Sequence, residues 1–122
     1  MKRIAFLLTI ILFSGIGVLH AQADSTSSFK VYGNCESCKA RIEKAAKAAG
    51  ALTADWSDET GIITVSFNSK KTTTDKIQQK IASVGHDTEK YKSLKSAYDK
   101  LPGCCKYDRE VEKEKVMEDH LH

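Results

Sequence analysis

The chain has 122 residues, enough for one small domain with a modest core. It carries 19 Lys and Arg against 16 Asp and Glu, and a net charge of +3 is too small to indicate nucleic acid or another strongly polyanionic partner. No Ser/His/Asp grouping, phosphate-binding loop or paired-carboxylate site is discernible, so hydrolases and kinases have no support in the sequence. Four cysteines are present, which makes thiol chemistry the first function class to consider.

The first 23 residues have the features of a secretory signal peptide. Lys2 and Arg3 precede an almost wholly apolar run at 4–19, and residues 20–23 form a small-x-small cleavage pattern. The apolar run is shorter than the ~20 residues that a membrane span needs, which disfavours an uncleaved anchor. We therefore expect a mature protein that begins near Asp24, is almost neutral, and resides in the periplasm or outside the cell.

A Cys-x-x-Cys pair is the central feature of the remaining chain. Residues 29–32 alternate apolar and polar side chains as a half-buried strand does, Gly33 turns the chain, and Cys35 and Cys38 follow. The next apolar residues have the spacing of one helix face: Ile42, Ala45, Ala46 and Ala49. The cysteines are thus predicted to lie at a helix N-terminus, where free N–H groups and the helix dipole favour thiolate over thiol.

Two thiolates three residues apart can bind one soft cation. Such ligands select Cu(I) or Hg(II) over hard cations. Two sulfurs suit near-linear coordination better than the four-ligand shell of structural zinc, so Zn(II) and Cd(II) fit less well. The predicted activity is binding and delivery, and the protein is not expected to be an enzyme.

The other elements complete a small α+β pattern. In chain order, they are a polar leader at 24–27, the strand before the cysteines, the first helix, strands at 52–56 and 63–67 joined by a turn, a helix after an N-cap at Thr73 or Thr74, and a weak edge strand at 86–91. This order predicts a ferredoxin-like βαββαβ sandwich with an antiparallel four-stranded sheet and two helices on one face.

Strand, glycine turn, Cys-x-x-Cys and an Ile-Glu helix, in that order, resemble the heavy-metal-associated domain family over residues 28–91. Its members are ferredoxin-like domains that carry Cu(I), Hg(II), Zn(II) or Cd(II) on two cysteines. They occur in copper chaperones, in the N-terminal arms of metal-pumping ATPases and in exported mercury-binding proteins. The resemblance implies that Cys35 and Cys38 are the metal ligands.

The resemblance has further implications. The partner would be a metal-transporting membrane protein or another thiol metal-binding domain, with the membrane reached only by transient docking. The residue after the glycine that ends the second helix often modulates the family's site, so His86 is expected near the sulfurs as a hydrogen-bond donor or third ligand. The family usually has Met two residues before the first cysteine, packed under the loop, where this chain has Gly33.

Residues 92–122 extend beyond the family domain. A short amphipathic helix is predicted at 94–101, ending at Pro102 and Gly103, and a charged tail follows in which His120 and His122 are better explained as part of a flexible segment than as ligands.

Cys104 and Cys105 follow that predicted helix directly. An exported chain with four cysteines would ordinarily form two disulfides, but adjacent cysteines cannot easily pair with each other. The pair either approaches Cys35 and Cys38, to share a metal, exchange it or form cross-disulfides, or stays apart as an independent site. We favour approach, because vicinal cysteines cannot easily chelate one ion by themselves.

A thiol-disulfide oxidoreductase is the main alternative, since it too places Cys-x-x-Cys at a helix N-terminus. Two absences weigh against it. No aromatic residue precedes Cys35 as in thioredoxin-type folds, and the only proline, Pro102, lies outside the domain and cannot supply the cis-proline of those folds.

Overall fold

The computed structural model describes residues 22–109. Most of the predicted signal peptide and the tail with His120 and His122 lie outside this range. The elements are β1 (Ser25–Lys30), α1 (Glu36–Ala48), β2 (Thr53–Trp56), β3 (Ile62–Phe67), α2 (Thr74–Ser83), α3 (Lys95–Asp99) and a 3-10 turn at Gly103–Cys105. The strands form an antiparallel sheet in the order β1-β3-β2, with helices packed on it, which is the predicted ferredoxin-like α+β arrangement. Between residues 22 and 109, no helix is long and apolar enough to cross a membrane.

The first strand starts earlier than predicted. It begins at Ser25, so the leader predicted at 24–27 is wrong for three of its four residues. The polar side chains there alternate between exposed and half-buried positions, and the strand is held by backbone pairing with β3, from Ser25 opposite Phe67 to Lys30 opposite Ile62. A serine-rich strand lacks the apolar alternation by which strands are predicted, and its sequence therefore resembles a loop.

The predicted fourth strand at 86–91 is reduced to one bridge, between Val31 and Thr88. Pairing stops there because the next polar groups have other partners. The Thr88 hydroxyl donates to the carbonyl of Tyr91 and accepts from its N–H, which turns the chain. Asp87, on the other side, is buried and bonded to side chains of the C-terminal extension. The sheet of the described residues thus has three strands and one bridge instead of four strands.

The core lies between the sheet and the two long helices. Its members from the strands and the long helices include Phe29, Val31, Ile42, Trp56, Ile63, Val65, Phe67, Ile77 and Ile81. The helix boundaries follow local signals. The Thr73 hydroxyl caps α2 by accepting the N–H of Lys76 at 3.1 Å, and Gly85 follows that helix with φ +110°, as predicted. The two helices thereby present their apolar faces to the strands and leave the start of α1 at one end of the domain.

Candidate metal centre

Cys35 and Cys38 lie at the start of α1, as the sequence predicts. Cys35 immediately precedes the helix, and its carbonyl oxygen accepts the N–H groups of Cys38 and Lys39 at 2.9 and 3.1 Å. The N–H of Asn34 donates to Cys38 Sγ at 3.4 Å. The two sulfurs are 3.6 Å apart. One helical turn therefore brings both thiols to the same point.

A tryptophan lies beneath this loop, beside Gly33. A Cβ at position 33 would come within 3.2 Å of the Trp56 ring and 3.1 Å of Cys38 Cβ. Trp56 is fully buried, and its Nε1 donates to the carbonyl of Val31 at 3.0 Å. The indole thus fills space under the loop, next to a position that has no side chain. The methionine that the family usually has under this loop is absent here, and an aromatic residue from β2 lies there instead.

The two cysteines have opposite acid–base properties. The hydroxyl of Ser37 and the backbone N–H of Cys38 lower the pKa of Cys35 to about 6. Burial raises the pKa of Cys38 to about 12. At neutral pH Cys35 is therefore a thiolate and Cys38 a thiol. A metal that binds both must displace the proton of Cys38.

The extension brings the other two cysteines to the same place. Cys35 Sγ is 3.4 Å from Cys104 Sγ and 3.5 Å from Cys105 Sγ, and none of the four cysteines is in a disulfide. Of the two arrangements considered for the second pair, the structure shows the approach. Three ligand atoms, the sulfurs of Cys35, Cys38 and Cys105, all lie within 4.8 Å of one another. Cys105 is fully buried, whereas Cys104 is exposed.

Two polar side chains of α1 contact the second pair. The Ser37 hydroxyl is 3.3 Å from Cys104 Sγ and 3.0 Å from Cys105 Sγ, and Arg41 donates to Cys105 Sγ at 3.4 Å. Ser37 lowers the pKa of Cys104, but the contact with Cys35 and burial outweigh this effect and raise it. Neither residue was predicted from the sequence as part of the site. Their spacing could have indicated this role, because residues 37 and 41 are one turn apart and therefore lie on the same face of the first two turns of the helix.

The extension is held by polar contacts with the segment after α2. Arg109 forms an ion pair with Asp87 at 2.9 Å, and both side chains are almost completely buried. The Tyr107 hydroxyl donates to the carbonyl of Gly85 and accepts the N–H of Asp87, each at 2.7 Å. Tyr98 in turn donates to the carbonyl of Tyr107 at 2.6 Å. These contacts fix the chain that follows the second cysteine pair and connect it to α3, which precedes the pair.

The helix predicted at 94–101 is shorter than expected. It spans only Lys95–Asp99, and Leu94, predicted to lie on its apolar face, is 74% exposed. Leu101 is buried as predicted. Leu94 precedes the helix with extended backbone, so the helical spacing does not apply to it. Docking of this segment therefore depends on Leu101 and the tyrosines rather than on a continuous helical stripe.

His86 is not part of the three-sulfur group. Its ring is fully buried and stacks on Tyr107 with the centroids 5.7 Å apart, and its Nδ1 is 2.8 Å from the carbonyl oxygen of Tyr32. Burial lowers the pKa of the imidazole. Among the described residues, its Nε2 has no hydrogen-bond partner. The third ligand atom of that group is the sulfur of Cys105 and not a nitrogen of His86, whose imidazole packs against Tyr107.

Solved structures with the same fold were found by structural comparison. CopZ metallochaperone is 27% identical, with a TM-score of 0.50 over 52% of this chain and 98% of that one. The water-soluble region of the P-type ATPase CopA from Bacillus subtilis is 29% identical, with a TM-score of 0.50 over 57% of this chain and 47% of that one. This chain has the heavy-metal-associated fold. No protein-family model and no curated protein matches its sequence. Residues 92–109 thus add a docked extension to a domain of this fold.

Proposed function

We propose that this protein captures a thiophilic metal ion on Cys35 and Cys38 and passes it to another thiol site. The observation that carries the proposal is the convergence of the two sulfurs, 3.6 Å apart at the start of α1. The ion is the cargo. Soft thiolate ligands favour Cu(I), with Hg(II) next, over Zn(II), Cd(II) and hard cations. The likeness to a metallochaperone supports binding and delivery over catalysis.

Delivery requires that an incoming thiol can reach the bound ion. Cys35 is partly exposed and is a thiolate at neutral pH, whereas Cys38 is buried. A partner thiolate can therefore attack from the side of Cys35 while Cys38 still holds the ion. The partner we propose is a metal-transporting membrane protein or another thiol metal-binding domain, since a domain of this fold occurs in the soluble region of a P-type ATPase.

We propose also that the protein is exported. The support is the sequence of residues 1–23, a basic start followed by an apolar run and a small-x-small cleavage pattern. N-terminal sequencing of protein from the extracytoplasmic fraction should find a chain that begins at Asp24 or Gln22. Retention of Met1 in that fraction would contradict cleavage.

The metal-binding proposal is tested with reduced protein under argon. Cu(I) and, separately, Hg(II) are titrated against a competing chelator into the wild type and into a Cys35→Ser/Cys38→Ser double variant. We expect tight binding of one equivalent by the wild type and its loss in the variant. A second variant that keeps the pair, Ser83→Ala on the far end of α2, should bind as the wild type does. Equal binding by the wild type and the double cysteine variant would refute the proposal.

A thiol-disulfide oxidoreductase remains the second candidate, and one observation favours it. A cysteine with a pKa of about 6 beside a buried partner thiol is also the arrangement of a dithiol that attacks disulfides. Turnover of a disulfide substrate with a thiol reductant, measured beside the metal titration, separates the two. Turnover without tight metal binding would favour the oxidoreductase.

A further inference from the structure

The extension supplies one sulfur that lies with the Cys35 and Cys38 pair. Cys105 Sγ is 3.5 Å from Cys35 Sγ, and the three sulfurs are mutually within 4.8 Å. We propose that Cys105 is a third ligand, so that the ion is held by three sulfurs, while Cys104 stays outside the bound set. This inference rests on the proposed function and specifies the coordination of the same ion.

The spacing of the sulfurs fits three ligands better than two. With a metal–sulfur bond of ~2.3 Å, two opposite sulfurs in linear coordination are ~4.6 Å apart, and sulfurs at the corners of a triangle are ~4.0 Å apart. The distances from Cys35 Sγ to Cys38 Sγ and Cys105 Sγ are 3.6 and 3.5 Å. For a trigonal site the two pairs that include Cys35 must each open by about half an ångström, whereas for a linear site the Cys35–Cys38 pair must open by about twice that.

Charge and burial favour Cys105 over Cys104 as the third ligand. Cys105 is fully buried and receives a hydrogen bond from Arg41, and Ser37 lies 3.0 Å from its sulfur. Three thiolates around one Cu(I) carry two excess negative charges. The guanidinium of Arg41 and the positive end of α1 oppose that charge. Cys104 is exposed, and its sulfur does not belong to the group of three.

The position of Cys105 does not depend on the metal. Cys105 lies between Leu101, which is buried in the domain, and the Tyr107 and Arg109 contacts that bind the extension to Gly85 and Asp87. The third sulfur is therefore in place before any ion arrives, and little ordering entropy opposes its use as a ligand. A three-sulfur site built in this way should hold the ion more tightly than the Cys-x-x-Cys pair alone.

The experiment counts sulfurs around Cu(I) in the full chain. Wild type, Cys105→Ser and Cys104→Ser are loaded anaerobically with one equivalent, the metal–sulfur number is measured by X-ray absorption, and native mass spectrometry verifies one ion per monomer. We expect three sulfurs in the wild type and in Cys104→Ser, and two in Cys105→Ser. Affinity should fall by more than about tenfold in Cys105→Ser, a change of ~1.4 kcal/mol, and by far less in Cys104→Ser.

Other results would overturn the proposal. Two sulfurs in the wild type, three sulfurs in Cys105→Ser, or an ion shared between two chains would each exclude Cys105 as a third ligand within one molecule. If buried Cys105→Ser fails to fold, as judged by circular dichroism, the wild type and Cys104→Ser decide together: three sulfurs in both support Cys105, and two in Cys104→Ser would contradict it. The proposed function is tested separately, since two-sulfur binding would leave it standing, whereas no binding of either Cu(I) or Hg(II) by the wild type would remove both.

Discussion

The two cysteine pairs have a similar composition but are positioned by different means. Each has one fully buried sulfur, on Cys38 or Cys105, and one more accessible sulfur, on Cys35 or Cys104. The first pair is placed by four consecutive residues at the start of a helix. The second is placed by tertiary contacts of the extension, above all the ion pair of Arg109. The position of the first pair therefore depends on the helix, whereas the second pair can be displaced by undocking the extension while the rest of the domain stays folded.

Thiol reactivity should show the largest contrast between the sulfurs. At pH 7, about nine-tenths of Cys35 is thiolate, because its pKa of about 6 lies below the pH, while burial keeps Cys38 protonated. We expect iodoacetamide to modify Cys35 several-fold faster than Cys38 or Cys104, since only the thiolate is the nucleophile, although a thiolate of lower pKa is intrinsically less reactive. Peptide mass spectrometry of briefly alkylated, metal-free protein measures this. Faster labelling of Cys104 than of Cys35 would contradict it.

Breaking the buried ion pair should separate the two pairs of cysteines. Arg109→Met leaves the Asp87 carboxylate buried without its cation, a change that typically costs ~3–5 kcal/mol. We expect lower stability in urea, and faster alkylation of Cys105 as the extension undocks, with a smaller change at Cys35, whose lowered pKa is due mainly to Ser37 and the Cys38 N–H. Lys106→Met is the matched control, because it removes a cation with a partly exposed side chain three residues earlier. Equal effects of the two substitutions would mean that the ion pair does not hold the extension.

The sequence predicted those features that are set by neighbouring residues. The Cys-x-x-Cys turn, the Thr73 cap and the hairpin depend on a few adjacent positions, and all are present. The ion pair of Asp87 and Arg109 was not predicted, because its partners are 22 residues apart and each looks like an ordinary surface charge. The same pair explains the missing fourth strand, since burial of Asp87 commits that segment to the extension.

A glycine after α2 allows the extension to approach closely. Gly85 has φ +110°, and a Cβ there would lie 2.9 Å from the carbonyl oxygen of Ala97 and from Leu101. We expect Gly85→Ala to destabilise the protein by ~1–3 kcal/mol through strain and partial undocking. Gly103→Ala is the control, because nothing lies within 4 Å of that position. If urea unfolding showed equal costs for both, the tight approach at Gly85 would not matter for stability.

Acid should destabilise the packing of His86 under the extension, with a smaller and more gradual effect than the substitutions above. Burial lowers the pKa of His86 from 6.5, so as the pH falls this imidazole is protonated in the unfolded chain before it is protonated in the folded chain. The free energy of unfolding should therefore be highest above pH 6.5 and fall as the pH drops below it. We expect His86→Leu to have a shallower decline between pH 7 and pH 5, measured by urea unfolding. Parallel declines in the two proteins would assign the acid sensitivity to other groups.

The smallest effect is expected at Ser37, the side chain that contacts both pairs. Its hydroxyl is 3.1 Å from Cys35 Sγ and 3.0 Å from Cys105 Sγ, and it is the main cause of the lowered pKa of Cys35. Ser37→Ala should raise that pKa and move the alkylation midpoint of Cys35 to higher pH, with little change in stability because residue 37 is exposed. Ser83→Ala, which removes a hydroxyl on α2, should leave the midpoint unchanged. If Ser37→Ala also left it unchanged, the helix N-terminus alone would account for the Cys35 thiolate. The two cysteine pairs would then lie close together without Ser37 linking their electrostatics.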